Sequence, residues 1–174
     1  MTDSHILSSK KRAPKNLGRV LVLGLGKSGM AAVRYCSGQA ADRVELLSVH
    51  VGESGTTPEN MKWLAECGAL VQEGPEAAGE YDLCIVSPGI PPHSPLYRSG
   101  AAISAEIISE VEFAWRESAA DSTWVAITGT NGKTTTTALT AHVLQNCGLR
   151  AAAVGNIGDT CLDAVASGDI DVYV

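Results

Sequence analysis

Apolar residues in this chain fall in short unbroken runs, separated by stretches rich in glycine, proline and serine. Arg19-Val20-Leu21-Val22-Leu23 is the first such run, the pattern of a strand covered on both faces. Runs at 44–49, 81–86, 123–127, 151–154 and 170–174 repeat it and predict further strands. Between them lie segments with helical character. Residues 30–36 are alanine-rich, and a second helix is predicted with Thr57 as N-cap and Pro58 at its first position, ending at Cys67 before Gly68. Residues 106–115 read as a third helix. Its inner face would be Ile107, Ile108, Val111, Ala114 and Trp115, with Glu106, Glu110 and Glu117 outward. A helix over 136–147 and a short one over 162–166 complete the series.

Alternating strands and helices predict an α/β fold with parallel sheets and sites at the carboxyl ends of the strands. Residues 1–16, with the basic group Lys10, Lys11, Arg12 and Lys15, are expected as a disordered tail. Residues 17–118 form a Rossmann-like unit, the polar stretch 117–122 reads as a linker, and 119–174 begin a P-loop α/β unit. Because the last apolar run reaches Val174, the second sheet is expected to be incomplete, with an exposed edge prone to association.

Composition narrows the classes. Hydrophobic residues make up 45% and charged residues 18%, as in folded soluble α/β proteins, while 5% aromatics leave the core to Val, Ile, Leu and Ala. A net charge of −6 weighs against non-specific nucleic-acid binding. No stretch reaches the ~20 apolar residues of a membrane span, so a cytoplasmic protein is expected. Cys36, Cys67, Cys84, Cys147 and Cys161 are scattered and read as reduced, mostly core, thiols. His5, His50, His93 and His142 lack metal-ligand spacing; His50 and His93 read as loop residues and His142 as packing.

The chemistry lies in four loops that follow predicted strands, at 24–29, 87–92, 128–135 and 155–158. Thr128-Gly129-Thr130-Asn131-Gly132-Lys133-Thr134-Thr135, between a strand and a helix, is a phosphate-binding loop. Its glycines let backbone N–H groups converge on phosphate oxygens, Lys133 neutralises the outer phosphates, and the Thr134 hydroxyl is placed for Mg²⁺. The loop has two residues between its first glycine and Gly-Lys-Thr, where the usual pattern has four. No acid follows at a later strand end, since Asp169 and Asp171 sit at the start of the last strand.

Gly24-Leu25-Gly26-Lys27-Ser28-Gly29 has dinucleotide-binding spacing. A nicotinamide dinucleotide would want a carboxylate at the tip of the second strand, which here ends Leu47-Ser48-Val49-His50, so that ligand is disfavoured.

The shortened loop 129–135 and Gly155-Asn156-Ile157-Gly158 together resemble the Mur ligases of peptidoglycan synthesis. The glycine loop 24–29, Ser87-Pro88-Gly89-Ile90-Pro91 and Ile108-Ser109-Glu110-Val111-Glu112-Phe113 look like those of the D-glutamate-adding members. The resemblance covers residues 17–174. It implies an ATP-dependent amide ligase that activates the alanyl carboxylate of UDP-N-acetylmuramoyl-L-alanine as an acyl phosphate, which the D-glutamate amine then attacks. It further implies ATP contacts from Gly129, Thr130, Asn131, Gly132, Lys133, Thr134 and Thr135, with Lys133 and Thr134 catalytic and Thr134 on Mg²⁺. UDP-substrate contacts would come from Lys27, Ser28, Ser87, Gly89 and Asn156. Where many members carry Asp at the second strand end, this chain carries Ser48. Relative to the family's three domains the sequence is expected to stop within the second, and these residues alone are expected not to catalyse ligation. A stand-alone nucleotide- or UDP-sugar-binding module is the other class consistent with the loops.

Overall fold

The computed structural model describes residues 11–53 and 55–174. Two parallel sheets follow each other along the chain. The first takes β1 (Gly18–Leu23), β2 (Val44–His50), β3 (Leu70–Gln72), β4 (Tyr81–Val86) and β5 (Ser104–Ser109), in the order β3-β2-β1-β4-β5. Its helices are α1 (Lys27–Ser37), α2 (Pro58–Glu66), α3 (Pro95–Ala102) and α4 (Glu110–Glu117). The second takes β6 (Thr123–Trp124), β7 (Ala151–Ala152) and β8 (Val172–Tyr173) in the order β6-β8-β7, with α5 (Lys133–Asn146) and α6 (Cys161–Ser167).

Strand β1 explains the layering. Val20 and Val22 face a core that includes Val33 of α1, Leu64 of α2 and Phe113 of α4, while Leu21 and Leu23 face the opposite side with Cys84 and Val86. Burial on both faces is what a continuous apolar run demands of a parallel strand. The first core also holds Cys161 and Leu162, so a helix of the second unit completes the packing of the first. Cys36, Cys84 and Cys161 are buried free thiols, each pushed up to about 12 chiefly by burial.

The predicted helix over 106–115 is corrected. Residues 104–109 form β5, in register with β4 through Leu83 and Glu106, Cys84 and Ile107, and Ile85 and Ile108. The helix starts only at Glu110, where the Ser109 hydroxyl accepts the Glu112 N–H at 3.1 Å. Consecutive Ile107 and Ile108 suit both sheet faces as well as a helix face; the Ser-x-x-Glu spacing was the boundary signal.

The faces change as well. Glu110 is 1% exposed, and the Glu117 side chain is 4% exposed, while Val111 is 42% exposed. Glu117 is tolerated inside because Arg43 donates to both its oxygens and the Tyr35 hydroxyl to one of them. Strand β3 and helix α3 were not anticipated; α3 carries its own start signal, Ser94 as N-cap followed by Pro95.

Residues 11–16 of the expected tail lie against the first unit. Arg12 donates to the Ser118 carbonyl, and Arg43 to the carbonyls of Pro14 and Lys15. Residues 1–10, with His5 and Lys10, lie outside the described residues. Lys11 pairs with Glu106, which also takes two bonds from the buried Arg116 guanidinium. Those bonds, Arg116 first, hold the Glu106 carboxyl at about 2, below its usual 4.5. The folded state therefore binds this proton less readily than the unfolded chain. The stabilisation is complete above the usual value and is lost as pH falls toward about 2. In denaturation series run down through that window, Glu106→Gln is expected to lessen the acid-side loss of stability.

Candidate functional site

In the first sheet the strand order reverses between β1 and β4, and the crevice outside their carboxyl ends is the expected ligand position. Gly24 turns the chain out of β1 with φ of 83°, its N–H bonded to the His50 carbonyl at 2.8 Å. Gly29, inside α1, packs on that turn so closely that a Cβ there would lie 2.0 Å from the Gly24 carbonyl oxygen. Across the crevice the Ser87 N–H donates to the Leu23 carbonyl at 3.0 Å and its hydroxyl to the Gly24 carbonyl at 3.3 Å. Gly89 is exposed at the tip of this loop, with open space around it. Lys27 and Ser28 begin α1, Lys27 exposed and Ser28 half-buried, and no side chain caps the helix. Its first N–H groups are therefore available to an anion at this edge.

The second unit repeats the device. Gly132, in the left-handed region at φ of 79°, is the N-cap of α5, again without a side-chain cap or an acid in the first turn. Thr130, Asn131, Thr134 and Thr135 are all exposed around this helix end. Lys133 folds back, its amine donating to the carbonyls of Gly129 and Thr130. Lys133, Thr134 and Thr137 line a cleft of about 170 Å³ together with Ile127, Asn156 and Ile157. Free helix N–H groups, a cation and an exposed hydroxyl suit a polyphosphate with its Mg²⁺, which Thr134 would help to hold.

The loop after β7 joins the two edges. Asn156 lines the cleft of Lys133 and Thr134, while the Gly158 carbonyl two residues on accepts from the Lys27 amine of the first unit at 2.7 Å. Lys27 and Asn156, read separately from two motifs, thus meet in one connected structure. Ser87 and Gly89 stand at the β1–β4 crevice.

The remaining candidates lie outside these loops. His50 is not a loop residue: it ends β2, fully buried, with Nε2 facing the Glu76 carbonyl and Nδ1 accepting the Gly52 N–H. These partners require a proton on Nε2 alone, and burial lowers its pKa and favours that neutral form. Ser48 is not at the strand tip. It lies within β2 beside Leu21 and Leu70, its buried hydroxyl without a hydrogen-bond partner among the described residues. His93 is exposed in its loop, and His142 is exposed beside Asn146 rather than packed. Asp171 pairs with Arg150 at the amino end of β8. Among the described residues no cluster of three or more His, Cys, Asp or Glu could hold a metal, and no helix is long and apolar enough to cross a membrane.

Comparison with known proteins identifies the class. Residues 127–168 match the Mur ligase middle domain. The chain is 40% identical over 153 residues to a protein of Frankia casuarinae, covering 85% of this chain and 31% of that one. It is 42% identical over 146 residues to one of Trichodesmium erythraeum, covering 82% and 30%. With one of Corynebacterium diphtheriae it shares 36% over 176 residues, covering 92% and 34%. A solved structure, the UDP-N-acetylmuramate:L-alanyl-γ-D-glutamyl-meso-diaminopimelate ligase from Neisseria meningitides, shares the fold with a TM-score of 0.50 at 19% identity, over 91% of this chain and 52% of that one. Most of the chain is thus similar to the N-terminal portion of Mur ligases. The three curated relatives are each named UDP-N-acetylmuramoylalanine–D-glutamate ligase, and it is their N-terminal portion that this chain matches, spanning about a third of their length.

Proposed function

We propose that these residues form the UDP-substrate-binding unit, 17–118, and part of the ATP-binding unit, 119–174, of a ligase adding D-glutamate to UDP-N-acetylmuramoyl-L-alanine. The observation that carries this is the shared loop 155–158, with Asn156 in the phosphate cleft and Gly158 bonded to Lys27 of the glycine turn. One short segment thereby faces both a triphosphate and the substrate whose carboxylate must meet it.

In this mechanism the uncapped start of α1, with Lys27 and Ser28, receives the substrate diphosphate, and Ser87 and Gly89 shape the crevice beside it. Gly129, Thr130, Asn131, Gly132 and Thr135 cradle the ATP phosphates, and Lys133 leaves its loop carbonyls to neutralise the outer ones. The Thr134 hydroxyl would help to hold Mg²⁺, which would supply further charge neutralisation when bound. Stabilising charge on the phosphoryl group as it passes to the alanyl carboxylate is the task these groups can perform. The cytoplasm, where ATP and UDP-sugars are made, is the compartment this chemistry needs. The 174 residues, about a third of the relatives' length, are proposed to bind both ligands without completing ligation.

Calorimetry with UDP-N-acetylmuramoyl-L-alanine, Mg·ATP and NADH tests the assignment. The first two are expected to bind and NADH not to. Tight NADH binding without the uracil ligand would overturn it, and ATP- and D-glutamate-dependent phosphate release would overturn the inactivity.

A further inference from the structure

Helix α6 belongs to the second unit by sequence but is fastened to the first. Leu162 is fully buried in the core shared with α1 and α4. Three polar contacts accompany it. The Glu110 carboxylate, at the start of α4, accepts the Leu162 N–H at 2.7 Å. The Arg34 guanidinium donates to both oxygens of Asp163, at 2.8 to 3.2 Å. Lys27 holds the Gly158 carbonyl.

From Leu162 back to Asn156 the chain has little slack. The Thr160 hydroxyl accepts the Asp163 N–H at 3.1 Å and donates to the Asp163 carboxylate at 2.8 Å. The Asp159 carbonyl accepts the Gly155 N–H at 2.9 Å, closing the loop around Asn156. Gly158, at φ of 67°, packs so tightly on the residue after β7 that a Cβ would sit 2.4 Å from the Ala153 carbonyl oxygen. A displacement of Leu162 is therefore passed to Asn156.

Glu110 is an unusual choice for this joint. Among the described residues it is buried without a cationic partner, and its titratable neighbours there are Asp163 and the Cys161 thiol of α6. A buried carboxyl answered by one backbone donor costs stability that an apolar side chain would not. Burial, the larger effect, raises its pKa, and the Leu162 N–H opposes the rise. What an apolar side chain could not provide is the acceptor that sets where α6 begins.

We propose that Glu110 is a positioning residue: through the Leu162 N–H it fixes the Asn156 loop against the phosphate loop, so that the substrate unit sets the geometry of the ATP cleft. The ligand-binding consequence rests on the function proposed above; the structural consequence does not.

The test uses the 174-residue chain. Without ligand, amide exchange at Gly155, whose N–H is bonded to the Asp159 carbonyl and not to Glu110, is expected to be about tenfold faster in Glu110→Ala. It should be within twofold of wild type in Glu110→Gln, which keeps an acceptor oxygen, and unchanged at Val20–Val22 in both. Arg34→Ala, at an exposed position, is expected to give about a threefold rise, and it carries the test if Glu110→Ala does not fold. With UDP-N-acetylmuramoyl-L-alanine or Mg·ATP as probe, Asn156→Ala is expected to weaken binding in wild type but to add nothing in Glu110→Ala. Exchange at Gly155 unmoved in the variants that fold, or rising equally in β1, overturns the proposal, as do additive binding losses. If wild type binds neither probe, the proposed function fails and the exchange measurements alone decide this one.

Discussion

Lys133→Ala is expected to weaken Mg·ATP binding by about 10- to 100-fold while leaving AMP affinity and the melting temperature nearly unchanged. Hydrogen bonds to charged groups contribute about 1.5–3 kcal/mol, and each 1.4 kcal/mol is a factor of ten in affinity. The amine reaches outer phosphates only by leaving the carbonyls of Gly129 and Thr130, so part of its gross interaction with ligand is offset by bonds it already makes. That exchange keeps the expected loss below what a free cation would give. Those carbonyls are in an exposed loop, so water replaces the amine at little cost to stability. Lys133→Arg is not expected to restore affinity, because a planar five-donor fork cannot occupy the place of a compact ammonium among converging N–H groups. Calorimetry with ATP and AMP side by side checks this; equal loss for both nucleotides, or none for either, would remove Lys133 from the phosphate site.

The parts of the fold that were legible in sequence are those where one local signal sufficed. Strand β1 is an unbroken apolar run, Thr57-Pro58 is a helix start, and Gly-Lys-Thr after a strand opens a helix. Strand β5 failed that test because Ile107-Ile108 satisfies either period, and its pairing with β4 decided the matter. Burial of Glu110 and Glu117 was illegible for a different reason: each is admitted by a partner far off in sequence, Leu162 in one case and Arg43 in the other. Charge alone predicts exposure; only tertiary contacts can reverse it. His50 followed the same rule, moved from an expected loop to a strand tip by the carbonyl of Glu76 and the N–H of Gly52. The link between the two units was likewise hidden. Lys27 was visible as a glycine-loop residue and Asn156 as a motif residue, but nothing in either stretch says that one holds the loop bearing the other.

Gly29→Ala puts two opposed effects on the same residue. In a helix, alanine is favoured over glycine by about 1 kcal/mol, and at an ordinary helical site the substitution would stabilise. Here the added methyl would lie 2.0 Å from the Gly24 carbonyl oxygen and 2.9 Å from its carbon, both backbone atoms at the end of a central strand. They cannot move without pulling β1 away from β2, to which the Gly24 N–H is bonded, or helix α1 away from the sheet. Overpacking of a tight interior costs about 1–3 kcal/mol, and the upper end applies where the obstacle is backbone. The clash wins. A net destabilisation of about 2 kcal/mol is expected, or a melting temperature lowered by about 4–8 °C in a chain of this size. Because the same carbonyl accepts from Ser87, the crevice for the proposed UDP substrate is expected to lose affinity as well. Gly89→Ala separates the two kinds of glycine. With nothing within 4 Å of where its Cβ would lie, the fold has no reason to resist the methyl, and the melting temperature is expected to stay within about 1 °C of wild type. If Gly89 lies against the uracil ligand as proposed, binding nevertheless falls. A Gly29→Ala chain that melts at or above wild type would show that α1 can withdraw from β1, and the crevice would then be adjustable rather than fixed by close packing.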